Sequence, residues 1–370
     1  MAEPANADHT QPVPSESWPP TAGVTGGARR DGREEGLVIA ISKGYFEVSN
    51  GVRTTLCTLR GKLRVSRPAP AKRPSPPARI QRAGQPTRQD RATPAAEEAE
   101  PPIRIAPGDH VLYRTILGDT GVVEEVLPRR TVLSRARSES GSQHVMLANL
   151  DHAALVFAMC NPTPHFGMLD RYLALCEHAS VAVTICLNKV DLGVPDAVAA
   201  ADLYAGLGYR VLLTSATTGA GVDTLRELLA GRVSLLTGPS GVGKSSLMNE
   251  LIPTASQRTG EISEATGKGR HTTTGVRLLQ LPEGGWLADS AGIRELALWN
   301  VPAEDLPRTF VELRPYIGQC EYEDCEHAEN EEGCAFRRAL ADGAITPERY
   351  ASFARLLDEA REQERPAWEQ

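Results

Sequence analysis

The stretch RVSLLTGPSGVGKSSLMNELI, Arg232 to Ile252, reads as one unit. RVSLLT is a short apolar run of the strand type and SSLMNELI has helical character. Between them GPSGVGKS, Gly238 to Ser245, matches G-x-x-x-x-G-K-[ST] in the strand, loop, helix context that such a match needs. The glycines let successive backbone N–H groups turn inward around phosphate oxygens, and the helix N-terminus adds the positive end of its dipole. The candidate phosphate site is therefore Gly238, Pro239, Ser240, Gly241, Val242, Gly243, Lys244, Ser245 and Ser246. Lys244 is expected to reach the β- and γ-phosphates and the Ser245 hydroxyl to ligate Mg²⁺. The competing reading, a Gly-rich turn before an ordinary helix, is disfavoured by the strand, loop, helix context. The loop alone implies a nucleoside triphosphate and leaves the base open.

Working outward, apolar runs alternate with amphipathic stretches. AALVFAMC (153 to 160) and VAVTICLNK (181 to 189) have the composition of strands buried on both faces, with a helix predicted over 168 to 178 between them. YRVLLTSA and GWLADSAG extend the series, and helices are expected near 196 to 206, 222 to 230 and 244 to 251. This pattern predicts an α/β doubly wound sheet.

Open sheets of this kind bind ligands at the carboxyl ends of their strands, which is where Asn188-Lys189-Val190-Asp191 falls. A carboxylate at Asp191 can accept from the N1–H and exocyclic amine of guanine, donors that adenine does not offer there, and a buried Asp191 left unpaired would discriminate strongly. Asn188 would hold the neighbouring loop, Lys189 would lay its aliphatic stem along the ring, and Thr214-Ser215-Ala216 can supply a backbone N–H to guanine O6. Alone, NKVD could equally be a capping turn with Asp191 as N-cap. Its pairing with TSA and a phosphate loop favours the base-reading role.

Downstream, Asp289-Ser290-Ala291-Gly292 ends another strand-type run, where a carboxylate can orient Mg²⁺ through water and the Gly292 N–H can sense the γ-phosphate. GKGRHTTTG, Gly267 to Gly275, is the candidate first switch, with Thr272, Thr273 or Thr274 completing the Mg²⁺ shell. The base-reading Asn188 precedes Gly238 by 50 residues, the reverse of the usual GTPase order, so the domain reads as circularly permuted.

Toward the N-terminus the texture is different. Residues 1 to 35 are rich in Pro, Gly, Ala, Ser and charge and read as a disordered tail. From Leu37, the runs LVIAIS, YFEVSN, VRTTLCTL, HVLYRTI, GVVEEVL and TVLS predict five or six strands and a small barrel over 36 to 135, with Asn50-Gly51 as a hairpin turn. A Pro-rich insertion at 66 to 102, with nine prolines, interrupts it. Across residues 53 to 88 there are ten Lys or Arg and no Asp or Glu, a segment suited to phosphate contact or to a solvated linker. Tyr45 and Phe46 are candidate stacking platforms for RNA, with barrel core as the alternative for both.

The C-terminal part, 301 to 370, follows the α/β domain of about 150 to 300. It carries Cys320-x4-Cys325-x-His327-x6-Cys334 and an amphipathic helix near 347 to 363. Three thiolates and one imidazole make a closed structural zinc set, with no position left open for catalysis. Residues 321 to 332 hold seven acidic and no Lys or Arg side chains, so RNA or protein contact is expected from flanking Arg314, Arg337 and Arg338. The other four cysteines, Cys57, Cys160, Cys176 and Cys186, read as core.

The charge balance, 40 Lys and Arg against 47 Asp and Glu, excludes a wholly basic nucleic-acid binder. No run reaches 18 apolar residues and the N-terminus lacks a basic-then-apolar layout, so a soluble cytoplasmic protein without membrane partners, monomeric by default, is expected.

NKVD, TSA, GPSGVGKSS, GKGRHTTT and DSAGIRE occur in the order found in the RsgA (YjeQ) family of circularly permuted GTPases of bacterial small-subunit ribosome assembly, and the chain resembles that family over about residues 36 to 360. The resemblance implies an N-terminal OB-fold barrel, a permuted GTPase domain and a C-terminal domain with one structural zinc. It also implies slow GTP hydrolysis stimulated by the small (30S) ribosomal subunit, with 16S rRNA and other assembly factors as partners and GTP or GDP with Mg²⁺ as ligand. In the family a His beside the threonines assists the attacking water, a part that falls here on His271; Ile293, after Gly292, cannot orient water. The insertion after Arg64 and Ala291, where the family usually has Pro, are departures. The rival reading is a zinc-containing RNA-binding module with a regulatory, barely hydrolysing nucleotide site.

Overall fold

The computed structural model describes residues 31–42, 44–65, 104–136, 143–193, 196–253, 276–288, 301–327 and 331–365. Residues 1 to 30 of the expected tail, the insertion at 66 to 102, the GKGRHTTTG stretch and DSAG lie outside the described residues, whereas Glu34 and Glu35, which the sequence reading placed in the tail, open the first strand of the barrel. Five strands, β1 (Glu34–Ser42), β2 (Tyr45–Ser49), β3 (Thr54–Val65), β4 (His110–Leu117) and β5 (Thr120–Val126), close a barrel in the order β1-β2-β3-β5-β4. This is the architecture of an OB fold. Val38, Phe46, Val48, Cys57, Val111, Tyr113 and Val123 fill its core. Of the two stacking candidates, Phe46 is thus in the barrel core and only Tyr45, 49% exposed, remains at the surface. The bend between β2 and β3 sits one residue later than the Asn50-Gly51 pair suggests. Asn50 N–H donates to Arg53 O (3.2 Å), Asn50 Oδ1 accepts from Val52 and Arg53 N–H, and Gly51 and Val52 form the tip.

TVLS does not join the barrel. It lies in β6 (Val132–Ala136), which pairs antiparallel with β7 (Gln143–Ala148), a strand the sequence reading missed. The reason is burial: Leu133 and Leu147 pack with Leu150 into the core beneath the central sheet, together with Leu37 and Ile39 from the outer face of β1. The continuous run LVIA in β1 thus serves two cores at once, Val38 inward and Leu37 and Ile39 outward.

The central sheet contains β8 (His152–Ala158), β9 (Ala182–Asn188), β10 (Arg210–Thr214), β11 (Val233–Thr237), β12 (Leu278–Gln280) and β13 (Trp286–Ala288). Its order is β10-β9-β8-β11-β13-β12. All pairings are parallel except the edge strand β12, which runs antiparallel to β13. Every residue of β8 is buried. Ala154, Val156 and Ala158 face α3 (Val222–Leu229) and α4 (Lys244–Leu251), whereas Ala153, Leu155 and Phe157 share a core with α1 (Phe166–His178) and Tyr204 of α2 (Asp196–Gly206). That two-sided burial explains why these strands read as unbroken apolar runs. Arg277 ties the barrel to the sheet edge through both oxygens of Glu47 (3.1 and 2.6 Å).

The C-terminal part contributes α5 (Leu306–Thr309), α6 (Ala335–Ala341) and α7 (Pro347–Glu364). Thr346 caps α7 by accepting from Arg349 N–H (3.3 Å), with Pro347 at the first helical position. Phe353 meets Phe310 and Phe336 edge-on at 5.3 and 5.5 Å, forming a small aromatic core. Among the described residues no helix is long and apolar enough to cross a membrane.

Candidate functional site

Register brings the sequence motifs to one edge. Ala158, Asn188 and Thr214 are paired neighbours across β8, β9 and β10, and β11 ends beside them, with Thr237 opposite Leu155. The base-reading turn and the phosphate loop therefore leave the sheet on the same side, although they lie in reversed order along the chain.

The phosphate loop turns tightly against this edge. Gly238 has φ +148°, and a Cβ there would meet Val156 O at 2.0 Å, so only glycine lets the loop start so close to β8. Gly243 (φ +97°) precedes α4, and its missing Cβ leaves room for Asn188 Nδ2, which would otherwise lie 2.3 Å away. Asn188 uses that room. Its Nδ2 donates to Val242 O (2.8 Å) and its Oδ1 accepts from Thr214 Oγ1 (3.2 Å), both fully within the protein. Lys244 Nζ donates to Gly238 O (2.9 Å) and Pro239 O (2.6 Å), which holds the ammonium inside the curve of the loop. Val242 and Leu247 anchor the loop and α4 in the core.

On the base-reading side Lys189 has φ +67°, and residues 190 to 192 form a single 3-10 turn. Asp191 is exposed, not buried, and its Oδ1 accepts from Ser215 Oγ at 2.6 Å. The premise of a buried carboxylate therefore needs correction: only an occupying base would desolvate it. Ser215 N–H donates to Ala220 O (2.9 Å) and is thereby engaged within the protein, and the Ser215 hydroxyl donates to Asp191. His271, Thr272, Thr273, Thr274, Asp289, Ala291, Gly292 and Ile293 lie outside the described residues.

One participant went unread in the sequence. The segment from Met159 to His165, between β8 and α1, is bonded twice to the Asn188–Lys189 turn: Met159 N–H donates to Asn188 O (2.9 Å) and Lys189 Nζ donates to Asn161 O. Its residues match no phosphate- or base-binding pattern, so no local signal marked it.

The second cluster lies in the C-terminal part. Ligand atoms of Cys320, Cys325, His327 and Cys334 all fall within 4.8 Å of one another, and His327 Nδ1 is 3.6, 3.4 and 3.6 Å from the three sulfurs. A tetrahedral zinc with ordinary Zn–S and Zn–N bonds puts sulfur and nitrogen about 3.6 Å apart, so the set fits zinc in spacing and in chemistry. His327 stacks on Phe336 (centroids 4.0 Å apart), and Ala335 N–H points to Cys320 Sγ (3.4 Å), the kind of outer contact that orients a thiolate ligand. Cys57, Cys176 and Cys186 are buried, and burial first of all pushes their thiols up to about 12, which makes them inert core. Cys160 is only half-buried, contrary to a core assignment.

Comparison with known proteins agrees with this arrangement. A family model described as RsgA GTPase matches residues 126–299. The chain is 43% identical over 271 residues to the small ribosomal subunit biogenesis GTPase RsgA of Gemmatimonas aurantiaca, covering 71% of this chain and 86% of that protein. It is 41% identical over 264 residues to the protein of the same name from Sodalis glossinidius, covering 69% and 76%. Among solved structures it is similar to YjeQ from Thermotoga maritima, with TM-score 0.65 and 27% identity over 90% of this chain and 100% of that one. YloQ, a circularly permuted GTPase, shares the fold at TM-score 0.64 and 24% identity over 92% and 100%.

Proposed function

The chain belongs to the RsgA GTPase family, and from that premise we propose that it hydrolyses GTP to GDP and phosphate and acts on the small (30S) ribosomal subunit late in its maturation. The observation that carries the reading is the hydrogen bond from Asn188 to Val242 O, because it ties the base-reading turn to the phosphate loop in one cleft. Guanine would be read by Asp191, aligned by Ser215, and by the Ala216 N–H. The triphosphate would lie in the curve of Gly238 to Ser246, with Lys244 turning from Gly238 O and Pro239 O toward the phosphate oxygens. Mg²⁺, held by Ser245 with Thr272, Thr273 and Asp289 as further candidates, would neutralise charge on the phosphates. His271 is the residue assigned to the attacking water. With an aliphatic Ile293 after Gly292, intrinsic turnover is slow and the subunit supplies the stimulus.

Zinc in the Cys320, Cys325, His327, Cys334 set would fix the C-terminal fold without chemistry of its own. Contact with rRNA is assigned to the barrel, with Tyr45 exposed on it, and to Arg314, Arg337 and Arg338 beside the knuckle. The test is GTP turnover with and without purified small subunits, using wild-type protein and His271→Ala. Stimulation in the wild type that is lost in His271→Ala is expected. No stimulation at any subunit concentration would instead make the protein a passive binder with a regulatory nucleotide site.

A further inference from the structure

The Met159–His165 segment leads straight into α1, and α1 is gripped from the C-terminal domain. In the phosphate loop, a Cβ on Gly241 would sit 3.7 Å from Pro162 Cδ, so the segment borders that loop as well as the Asn188–Lys189 turn. At its far end His165 O accepts from Met168 N–H (2.9 Å) and opens the helix. One turn on, Asp170 is buried, and its Oδ1 accepts from Tyr204 OH (2.7 Å) and from Arg349 Nη1 (2.6 Å). Arg349, on α7, is 2% exposed, bonds both oxygens of Glu312 (2.6 and 3.0 Å), and lies over the Phe310 ring at 4.5 Å. Two flanking contacts repeat the grip: Arg355 donates to Gly167 O (2.9 Å), and Arg171 pairs with Glu359.

A buried triad of one guanidinium and two carboxylates adheres no better than well-packed apolar side chains, because desolvation offsets most of the Coulomb gain. What its directional bonds add is orientation. Two corners of the fork fix the guanidinium on Glu312 and the third holds Asp170, so that with the Arg355 and Arg171 contacts on either side α1 is tied to α7 at three points, and α1 leads directly from the 159–165 segment.

We propose that Arg349 is a positioning residue for the nucleotide site: by fixing α1 it holds the Met159–His165 segment, and through it the placement of the base-reading turn relative to the phosphate loop. The proposal rests on the nucleotide reading above. By reciprocity, nucleotide bound at the site must stabilise the contacts of α1 with α7 to the same extent.

The experiment uses the full chain and two measurements: affinity for methylanthraniloyl-GDP, and hydrogen exchange with and without GDP. Arg349→Met and Asp170→Asn should each weaken GDP binding roughly three- to tenfold. The double variant should bind no more weakly than the worse single one, since both break the same joint. In the wild type, GDP should slow exchange in both α1 and α7. Equal affinity in folded variants, or protection confined to the phosphate loop and residues 188 to 191, would overturn the proposal. If Arg349→Met does not fold, Arg355→Ala removes an exposed side chain from the same joint and should show a smaller loss in the same direction; an unchanged affinity there, with no added protection in α7 of the wild type, counts against it. A wild type that fails to bind GDP at all refutes the nucleotide reading itself, a different outcome from equal binding by all variants.

Discussion

Asn188, Thr214 and Thr237 stand at the ends of paired strands of the central sheet, whereas Cys320, Cys325 and His327 stand outside strand and helix, with α6 packed against them. The first set is held by protein alone: Asn188 bonds Val242 and Thr214, and Ser215 bonds Asp191. The second set is four ligand atoms facing one point, three of them thiols, and only Cys334 is buried. The nucleotide site proposed above thus inherits its order from the sheet, whereas the knuckle would take its order from the zinc proposed for it. The two should therefore fail under different insults.

The largest expected effect follows directly. Stripping zinc with a chelator, or replacing Cys325 by Ser, should unfold the knuckle, since a structural zinc site of this kind contributes on the order of 10 kcal/mol of apparent stability. GDP binding should persist in weakened form, because the strand ends carrying Asn188 and Gly238 do not depend on the metal. Near-UV circular dichroism and GDP titration on the same samples check this; loss of all nucleotide binding on chelation would erase the distinction between the regions. Next in size is Asp191→Asn. In the proposed site the carboxylate would accept two charge-assisted hydrogen bonds from guanine, each worth about 1.5–3 kcal/mol. The variant should lose guanine preference by at least ~100-fold, read as the ratio of GTP to ATP affinity. Its zinc content should remain that of the wild type.

The same contrast explains what could be read from the chain. The knuckle is contiguous, so its four ligands announce themselves by spacing. The nucleotide motifs are scattered but each is chemically explicit, and the alternating strands and helices place them at one sheet edge. The five-stranded barrel was legible too. Other features were not, and three of them show why. TVLS has the composition of a barrel strand and was drawn away only because Leu133 meets Leu147 and Leu150 in another core. The edge strand β12 is three residues long, too short for any periodicity. Arg349 sits in a charged, amphipathic helix where an arginine reads as solvent-facing; its burial depends on Asp170 and Glu312, far away in sequence. Short-range pattern carries no trace of partners that arrive through tertiary packing.

Acid offers the finest test, because it touches both regions by different routes. His152 opens β8 and is 3% exposed, with Nε2 and Thr184 Oγ1 3.0 Å apart. Burial, reinforced by Arg232 and Arg210, pushes its imidazole down from 6.5 to about 3. The folded chain therefore keeps His152 neutral where the unfolded chain would protonate it. Below the ordinary pKa the unfolded state binds the extra proton, so stability contributed by the neutral ring is present above about pH 6.5 and is lost as pH falls toward 3. Between pH 6.5 and 5 the loss should be about 2 kcal/mol. His152→Gln keeps a polar side chain of similar reach without the titration, and should flatten the slope of unfolding free energy against pH in that window by up to one proton. Acid also protonates the thiolates of the knuckle, but that effect should vanish in zinc-free protein while the His152 slope remains. If the slope of the wild type disappears with the zinc, acid sensitivity belongs to the metal cluster alone, and the sheet beneath the nucleotide site is not the titrating element.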